Sequence, residues 1–417
     1  MKLLFLTSEL PTPRTSLAVR AFYFIKYLRE KYHYDITLIS FRQITNEDRY
    51  IYDLGKYCKI AYIANIPKPE FSFRTAAYTL KNMCSLRNIF SKNPQFLNFY
   101  YLPKMQVMIN KLVKVEDPDI VYADGAMAHY VSTMCLLKVV DPHDVVSESY
   151  RQIFLKQKSL TSRIFWLMWH YKMKEYEKAI FKKFNACIIT SEYDKRIITA
   201  YIPRLRTYVI PNGVDVEYFR PVLTKQTIPN VVFLGDMSNK TNIHAILFFY
   251  NEIYPLIKKR VRDTKLYIVG RNPVREVTLL TSDKSVIVTG YVNDVRPYLA
   301  NASVVIAPMT LGMGIKNKIL EAMAMEKPVV STSIGARGIK VSHEENIFIE
   351  DTPQGFAERV VQLLNDEKLR LEIGSNARKL VETEYSWETM TDLLNSILKY
   401  LKAHLARDDH LFPVGYS

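Results

Sequence analysis

The sequence predicts an α/β protein made of two doubly wound parallel-sheet units, and three observations carry that expectation. Apolar runs of strand length alternate with amphipathic stretches of helix length from the first residue onward, the rhythm of βαβ units. The rhythm breaks once, at VIPNGVDVEYFRP, where Pro211-Asn212-Gly213 make a turn and Pro221 precedes the polar stretch LTKQTIPN. Finally, 417 residues exceed what one hydrophobic core usually organises.

Taken in order, the first half places strands at 3–7, 35–41, 59–63, 120–123, 144–147, 186–190 and 207–210. Most are short runs of Leu, Ile, Val, Tyr or Ala bounded by polar residues, as a strand covered on both faces requires. Helices fill the intervals. The second half repeats the pattern with strands at 230–234, 265–269, 285–288, 303–307, 328–331 and 346–349. After Pro353 the chain turns helical, and a last helix runs from Trp387 to about Ala406. The expected domains are therefore 1–210, which the 387–406 helix crosses back to join, and 211–386. The polar tail 407–417 is expected to be partly disordered.

Composition narrows the class. Apolar residues make up 48% and charged residues 24%, with 13 Gly and 19 Pro, which excludes disordered and collagenous chains. The opening MKLLFLTSEL is too short an apolar run for a signal peptide and reads as a buried strand. No uncharged apolar run approaches a membrane span. Cys58, Cys84, Cys135 and Cys187 stand in no metal-ligand or disulfide spacing and read as core thiols of a cytoplasmic protein.

The net charge of +15 is unevenly spread: residues 1–210 hold 32 Lys and Arg against 18 Asp and Glu, and residues 211–417 hold 25 against 24. Within the basic half, 151–184 interleaves Arg151, Lys156, Lys158, Arg163 and further lysines with Phe154, Phe165, Trp166, Trp169 and Tyr171. A basic, aromatic helix of this kind suits an anionic membrane surface. It equally describes a core-packed helix with a solvated basic face. No nucleic-acid-binding pattern is present, so nucleic acid is not an expected partner.

The stretch richest in chemistry is 304–339, VVIAPMTLGMGIKNKILEAMAMEKPVVSTSIGARGI. A buried strand ends at Pro308, a loop carries Gly312 and Gly314, and a helix starts near Lys316 with Leu320, Ala322 and Met323 on its inner face. Such a loop lets backbone N–H groups approach an anion, and the helix N-terminus adds a positive dipole. Lys316 and Lys318 oppose that dipole, a placement better explained by an anionic ligand than by folding. Glu321 follows one turn on, within reach of hydroxyls on whatever carries the phosphate. The loop follows a late strand and lacks the dinucleotide-binding fingerprint, so an NAD-linked oxidoreductase is a poor alternative.

The strings GIKNKILEAMAMEKPVVSTSIGARGI, VIPNGVDVEYFRP, LYIVG, VTGYVNDVRPYLANASVVIAP and YSWETM together resemble family 4 glycosyltransferases of the GT-B fold, most of all an exopolysaccharide-associated branch of sugar transferases. In the first half, LPTPRTSLAVR and YEKAIFKKFNACIITSEYDKRI resemble that branch in order. The resemblance implies two Rossmann-like domains facing a cleft. It also implies a retaining transfer from a nucleotide-sugar donor to a hydroxyl of a lipid-linked or polysaccharide acceptor, at the inner face of the membrane. Neither cofactor nor metal is implied, because helix dipoles and cations neutralise the departing diphosphate.

By motif, the implied donor-binding residues are Gly235, Lys240, Gly270, Gly290, Gly312, Gly314, Lys316, Asn317, Lys318 and Glu321, the last holding the ribose. Three positions depart from the family pattern. Met313 stands where a first glutamate is usual, eight residues before Glu321. Asp236 follows Gly235 where an arginine is usual shortly after, which leaves Lys240 as the cation there with Lys316 or Lys318 to compensate. Ser16-Leu17 replaces a Gly-Gly pair, in a first loop whose Arg14, Ser16 and Arg20 would meet the diphosphate or an acidic acceptor, or else lie on the surface. Asp124, His129 and Glu148, at or just after first-domain strand ends, are the candidate catalytic residues. Asn212 and Gly213 are the candidate hinge. The missing first glutamate and Asp236 leave a non-catalytic, glycosyltransferase-like binding protein as the alternative.

Overall fold

A computed structural model describes residues 1–13, 16–43, 48–66, 100–222, 229–312 and 314–405; the side chains of residues 16, 17, 43, 48 and 49 are outside the description. Arg14, the side chain of Ser16, Cys84, Met313 and the 407–417 tail therefore lie outside the described residues. The chain divides into two units, residues 1–210 with 391–417, and residues 211–390.

In the first unit the elements run β1 (Lys2–Thr7), α1 (Ser16–Glu30), β2 (Asp35–Gln43), α2 (Asp48–Leu54), β3 (Lys59–Ile66), α3 (Pro103–Glu116), β4 (Ile120–Asp124), α4 (Ala128–Val131), β5 (Lys138–His143), α5 (Val146–Lys156), α6 (Leu160–Phe181), β6 (Ala186–Ile189), α7 (Glu192–Tyr201) and β7 (Arg206–Val209). The seven strands form one parallel sheet in the order β3-β2-β1-β4-β5-β6-β7. β1 and β4 are neighbours from opposite directions of winding, so the order reverses between them. Their buried runs show why they lie centrally: five of the six residues of β1 and all five of β4 are buried.

One strand differs from expectation. The run 144–147 is not a strand; β5 occupies Lys138–His143, and Val146 and Ser147 open α5 instead. The strand is disguised by polar residues that the fold satisfies. Lys138 is buried, but its ammonium donates to the carbonyls of Ser132 (3.2 Å) and Met134 (2.6 Å). Pro142 lies where the β5–β6 ladder shifts register between Val140 and His143, so its missing N–H breaks no regular pairing.

The basic segment 151–184 also differs. It forms two helices, α5 and α6, separated by Gln157-Lys158-Ser159 and packed on each other, rather than one. Trp169, Phe181 and Phe184 are buried. Cys58 and Cys187 are core thiols, whereas Cys135 is exposed in the connection between α4 and β5.

The second unit holds β8 (Asn230–Leu234), α8 (Lys240–Phe248), a π-helical turn (Phe249–Ile253), α9 (Tyr254–Arg260), β9 (Lys265–Val269), α10 (Arg275–Thr278), a 3-10 turn (Leu279–Ser282), β10 (Val286–Gly290), α11 (Arg296–Ala300), β11 (Val304–Ala307), α12 (Asn317–Ala324), β12 (Val329–Ser331), α13 (Ser333–Ala336), β13 (Phe348–Ile349), α14 (Pro353–Asn365) and α15 (Glu367–Glu384). Its parallel sheet has the order β10-β9-β8-β11-β12-β13, with the reversal between β8 and β11. The caps follow the local sequence. Thr352 accepts from the Gly355 N–H with Pro353 at the first helical position, and Asp366 accepts from the Leu369 N–H.

The last helix, α16 (Trp387–Leu405), is divided by the unit boundary. Its later residues are held on the first unit: Asp392 accepts from Lys31 (2.9 Å) and Tyr32 (2.7 Å), Asn395 accepts from Tyr34 (2.8 Å), and Lys402 pairs with Asp119 (2.8 Å).

Candidate active site

Open α/β sheets bind ligands beyond the carboxyl ends of their strands, at the point where strand order reverses. In the second unit that point lies between the ends of β8 and β11, and several of the expected donor-binding residues lie at or beside these strand ends. Gly235 follows β8, and Gly270 follows β9 at φ 152. A side chain at 270 would collide with the Gly235 carbonyl, so the close approach of these two turns demands glycine. Gly290 ends β10 at φ 67 with open space beside it. Gly312 has φ 122 and lies beside Thr241 and the Lys316 ammonium.

The lysines have different surroundings. Lys316 is the N-cap of α12, and its ammonium donates to the Gly314 carbonyl at 3.0 Å. Lys318, half-buried, donates to Asn242 Oδ1 at 2.8 Å and lies 4.1 Å from the centre of the Phe233 ring, below Gly235. Burial pushes its pKa down to about 7, with the Lys316 charge acting the same way. Burial pushes Glu321 up to about 7, against the opposing charge of Lys318. Lys240 begins α8 and is exposed. Asn317 accepts from Asn212 at 3.1 Å, and Gly213 packs so closely on Trp387 that no side chain fits there. Both candidate hinge residues thus make contacts inside the second unit.

Asp236 brings a correction. It does not leave Lys240 as the only cation of that turn, because Arg271, after β9, pairs with it at 2.7 Å. Sequence reasoning missed Arg271, although its place directly after Gly270 was a usable signal. It also missed His244, which pairs through Nδ1 with the Thr310 hydroxyl at 2.8 Å beside the glycine loop.

In the first unit, a recess lies at the β1/β4 reversal, lined among others by Thr7, Ser8, Arg20, Asp124, Asp141 and His143. Asp124 ends β4 and accepts from the N–H groups of Ser8 and Met127, the latter at 2.9 Å. Burial raises its pKa against those hydrogen bonds. Arg20 is neither a surface charge nor a free ligand of an anion. It is buried on α1, pairing through Nε with Asp141 at 2.7 Å and lying over Phe24. The Tyr122 hydroxyl donates to the same carboxylate. Asp141 also accepts from the backbone N–H of His143 at 3.2 Å, and the His143 ring stands 3.9 Å away, at φ 63.

His143 is the functional candidate that the mistaken strand concealed. Glu148 does not follow a strand end; it lies in the first turn of α5. Arg151 binds it through two bonds of 2.6 and 2.7 Å and Tyr193 through one of 3.0 Å. Burial would raise its pKa, but these donors prevail and hold it below the usual range. The His129 ring lies against Tyr130 and Tyr101 with its nitrogens buried, and burial lowers its pKa. Asp124 and His143 face the recess, while His129 and Glu148 are not among its lining residues. Among the described residues, no group of three or more His, Cys, Asp or Glu side chains is arranged to hold a metal ion.

Two reversed-order parallel sheets, the second with glycines at the ends of β8, β9 and β10, have the architecture of the GT-B fold. Residues 18–218 match the family model described as Glycosyltransferase Family 4, and residues 228–366 match the one described as Glycosyl transferases group 1. The chain belongs to the family 4 glycosyltransferases of the GT-B fold. It is 30% identical over 179 residues to the capsular polysaccharide biosynthesis glycosyltransferase CapM of Staphylococcus aureus, a match covering 40% of this chain and 46% of that protein. The chain spans 46%, 65% and 28% of the lengths of the first three curated relatives. Among solved structures, sucrose-phosphate synthase from Thermosynechococcus elongatus superimposes with a TM-score of 0.70 at 15% identity, covering 97% of this chain and 100% of that one. HepE from Anabaena, solved in complex with UDP and glucose, gives 0.63 at 17% identity, covering 96% and 100%.

Proposed function

We propose that this protein transfers a sugar, with retention of configuration, from a nucleotide-sugar donor to a hydroxyl of a lipid-linked or polysaccharide acceptor in cell-envelope or exopolysaccharide synthesis. The observation that carries the reading is Lys318, a half-buried ammonium beneath the Gly235 turn, with Glu321 one turn along the same helix. A desolvated cation opposing its own helix dipole is costly for folding and finds its natural counter-charge in a diphosphate. Glu321 then accepts from ribose hydroxyls, and Lys316 with the α12 N–H groups meets the charge that grows on the leaving diphosphate. In this reading those groups do the work that a bound metal would otherwise do. The UDP held by HepE, a protein of the same fold, makes a uridine donor the first to test.

The first unit takes the acceptor, with Asp124 and His143 facing the reacting hydroxyl and Asp141, paired with Arg20, fixing His143 from behind. Incubation with a panel of UDP-, GDP- and ADP-sugars is the test. Slow release of free sugar from at least one donor is expected, whereas binding without any turnover would favour a non-catalytic protein.

We also infer peripheral attachment of the first unit to the inner face of the membrane. The turn between α5 and α6 exposes Leu155, Leu160 and Ile164, at 57%, 71% and 61%, among the exposed Lys156, Lys158 and Arg163. Apolar side chains ringed by cations suit an anionic bilayer, where each cation contributes about 1 kcal/mol. No helix among the described residues is long and apolar enough to cross a membrane. Flotation with anionic liposomes is expected, weakened by salt and by Leu160→Glu with Ile164→Glu. Equal flotation with neutral liposomes would contradict the electrostatic part.

A further inference from the structure

Helix α5 starts without a cap of its own. Val145 is the residue at the N-cap position and offers no side-chain acceptor, so the first N–H groups of the helix need partners from elsewhere. Glu177, fully buried on α6, supplies them. Its carboxylate accepts from the Ser147 N–H at 3.2 Å and from the Ser147 hydroxyl, and it faces the Val146 N–H. The Ser147 carbonyl meets His170 Nδ1, also on α6, at 2.8 Å. The preceding His143 is tied separately, through both of its backbone groups. The His143 carbonyl accepts from the Thr190 hydroxyl at 3.0 Å, and the His143 N–H donates to Asp141.

We propose that Glu177 is a positioning residue: a carboxylate supplied by α6 that caps α5 and so holds the chain that follows His143, the residue of this stretch that lines the first-unit recess. Glu177 is absent from the lining of that recess, so any effect on His143 passes through α5. The dipole and the orphan donors favour the carboxylate and offset part of its burial, which still raises its pKa to about 7. The role in transfer rests on the acceptor-site reading given above; the cap itself does not.

The test uses the full chain and three variants, Glu177→Leu, Glu177→Gln and Ser147→Ala. Amide hydrogen exchange over residues 145–149 and the rate at which diethyl pyrocarbonate modifies His143, read by mass spectrometry, are compared with the parent. Glu177→Leu is expected to speed exchange there at least tenfold and His143 modification at least threefold. Glu177→Gln, which keeps one acceptor oxygen, is expected to restore most of both, and Ser147→Ala to fall between. Should Glu177→Leu fail to fold, the other two variants still decide. Unchanged exchange in Ser147→Ala, or in a folded Glu177→Leu, overturns the cap, and faster exchange with unaltered His143 modification overturns the positioning role. A parent protein that binds no UDP and hydrolyses no nucleotide sugar defeats the transferase reading while leaving both of these results to stand on their own.

Discussion

Lys318→Met is expected to lower sugar-nucleotide turnover about 100- to 1,000-fold while making the protein more stable to heat. The ammonium is held among Phe233, Asn242 and Gly235, and burial lowers its pKa to about 7. A base depressed on folding weakens the fold wherever it is charged in the native state, so the cost is full below about pH 7 and fades as pH rises toward the ordinary lysine value. Methionine fills similar space without the charge, and a gain of roughly 2–4 °C in melting temperature is expected below neutral pH, net of the lost bond to Asn242.

Glu321 behaves in the opposite sense. Its pKa is raised to about 7, so its cost is absent below the ordinary glutamate range and complete above about pH 7. The stability gain from Glu321→Gln should therefore appear on the alkaline side. For function, Glu321→Gln is expected to weaken nucleotide binding by about 1.5–3 kcal/mol, the worth of hydrogen bonds to a charged group. Lys318→Met is expected to lower turnover about 100- to 1,000-fold, more than it lowers donor affinity, because leaving-group charge peaks in the transition state. Lys316→Ala should act in the same direction. A Lys318→Met protein that melts earlier and keeps its turnover would remove the basis for the donor site.

The second large effect is expected at Arg20. Arg20→Ala strands the buried Asp141 carboxylate with only Tyr122 and the His143 N–H, and should cost about 3–5 kcal/mol in chemical denaturation. Asp141→Ala should cost a comparable amount by stranding the guanidinium. The double change Arg20→Met with Asp141→Leu should recover most of the loss, because a buried pair pays its own desolvation. Burial opposes the charge on Asp141, but Arg20, His143 and Tyr122 together hold its pKa below the usual range. The stability it contributes is thus present above the ordinary aspartate range and lost as pH falls through the depressed value. Single variants within 1 kcal/mol of the parent would show that the pair is not the anchor of the recess.

Parallel strands covered on both faces are nearly continuous apolar runs, which is why twelve of the thirteen were legible before any coordinates, with ends shifted by three residues or fewer. β5 was not, because Lys138, Asp141, Pro142 and His143 look like loop residues until their partners are known. Those partners are remote: Arg20 is 121 residues from Asp141 in the chain, and no local periodicity announces such a pair. The same distance hid His143 and made Arg20 read as a ligand-facing or surface charge. Charge counting located the basic segment, but the three-residue break at 157–159 carries neither Gly nor Pro, so the hairpin went unread. The glycine loop was legible because backbone approach restricts residue type directly, whereas Arg271 was overlooked for want of its contact with Asp236.

The most direct measurement of the central claim is hydrogen exchange of the full chain with and without saturating UDP, GDP and ADP. At least one nucleotide is expected to protect the backbone after β8 and β9, around Gly235 and Gly270, and the first turn of α12, and to lose most of that protection in Glu321→Gln. Protection confined to the first unit, or none with any of the three, would contradict a nucleotide-sugar site in the second unit.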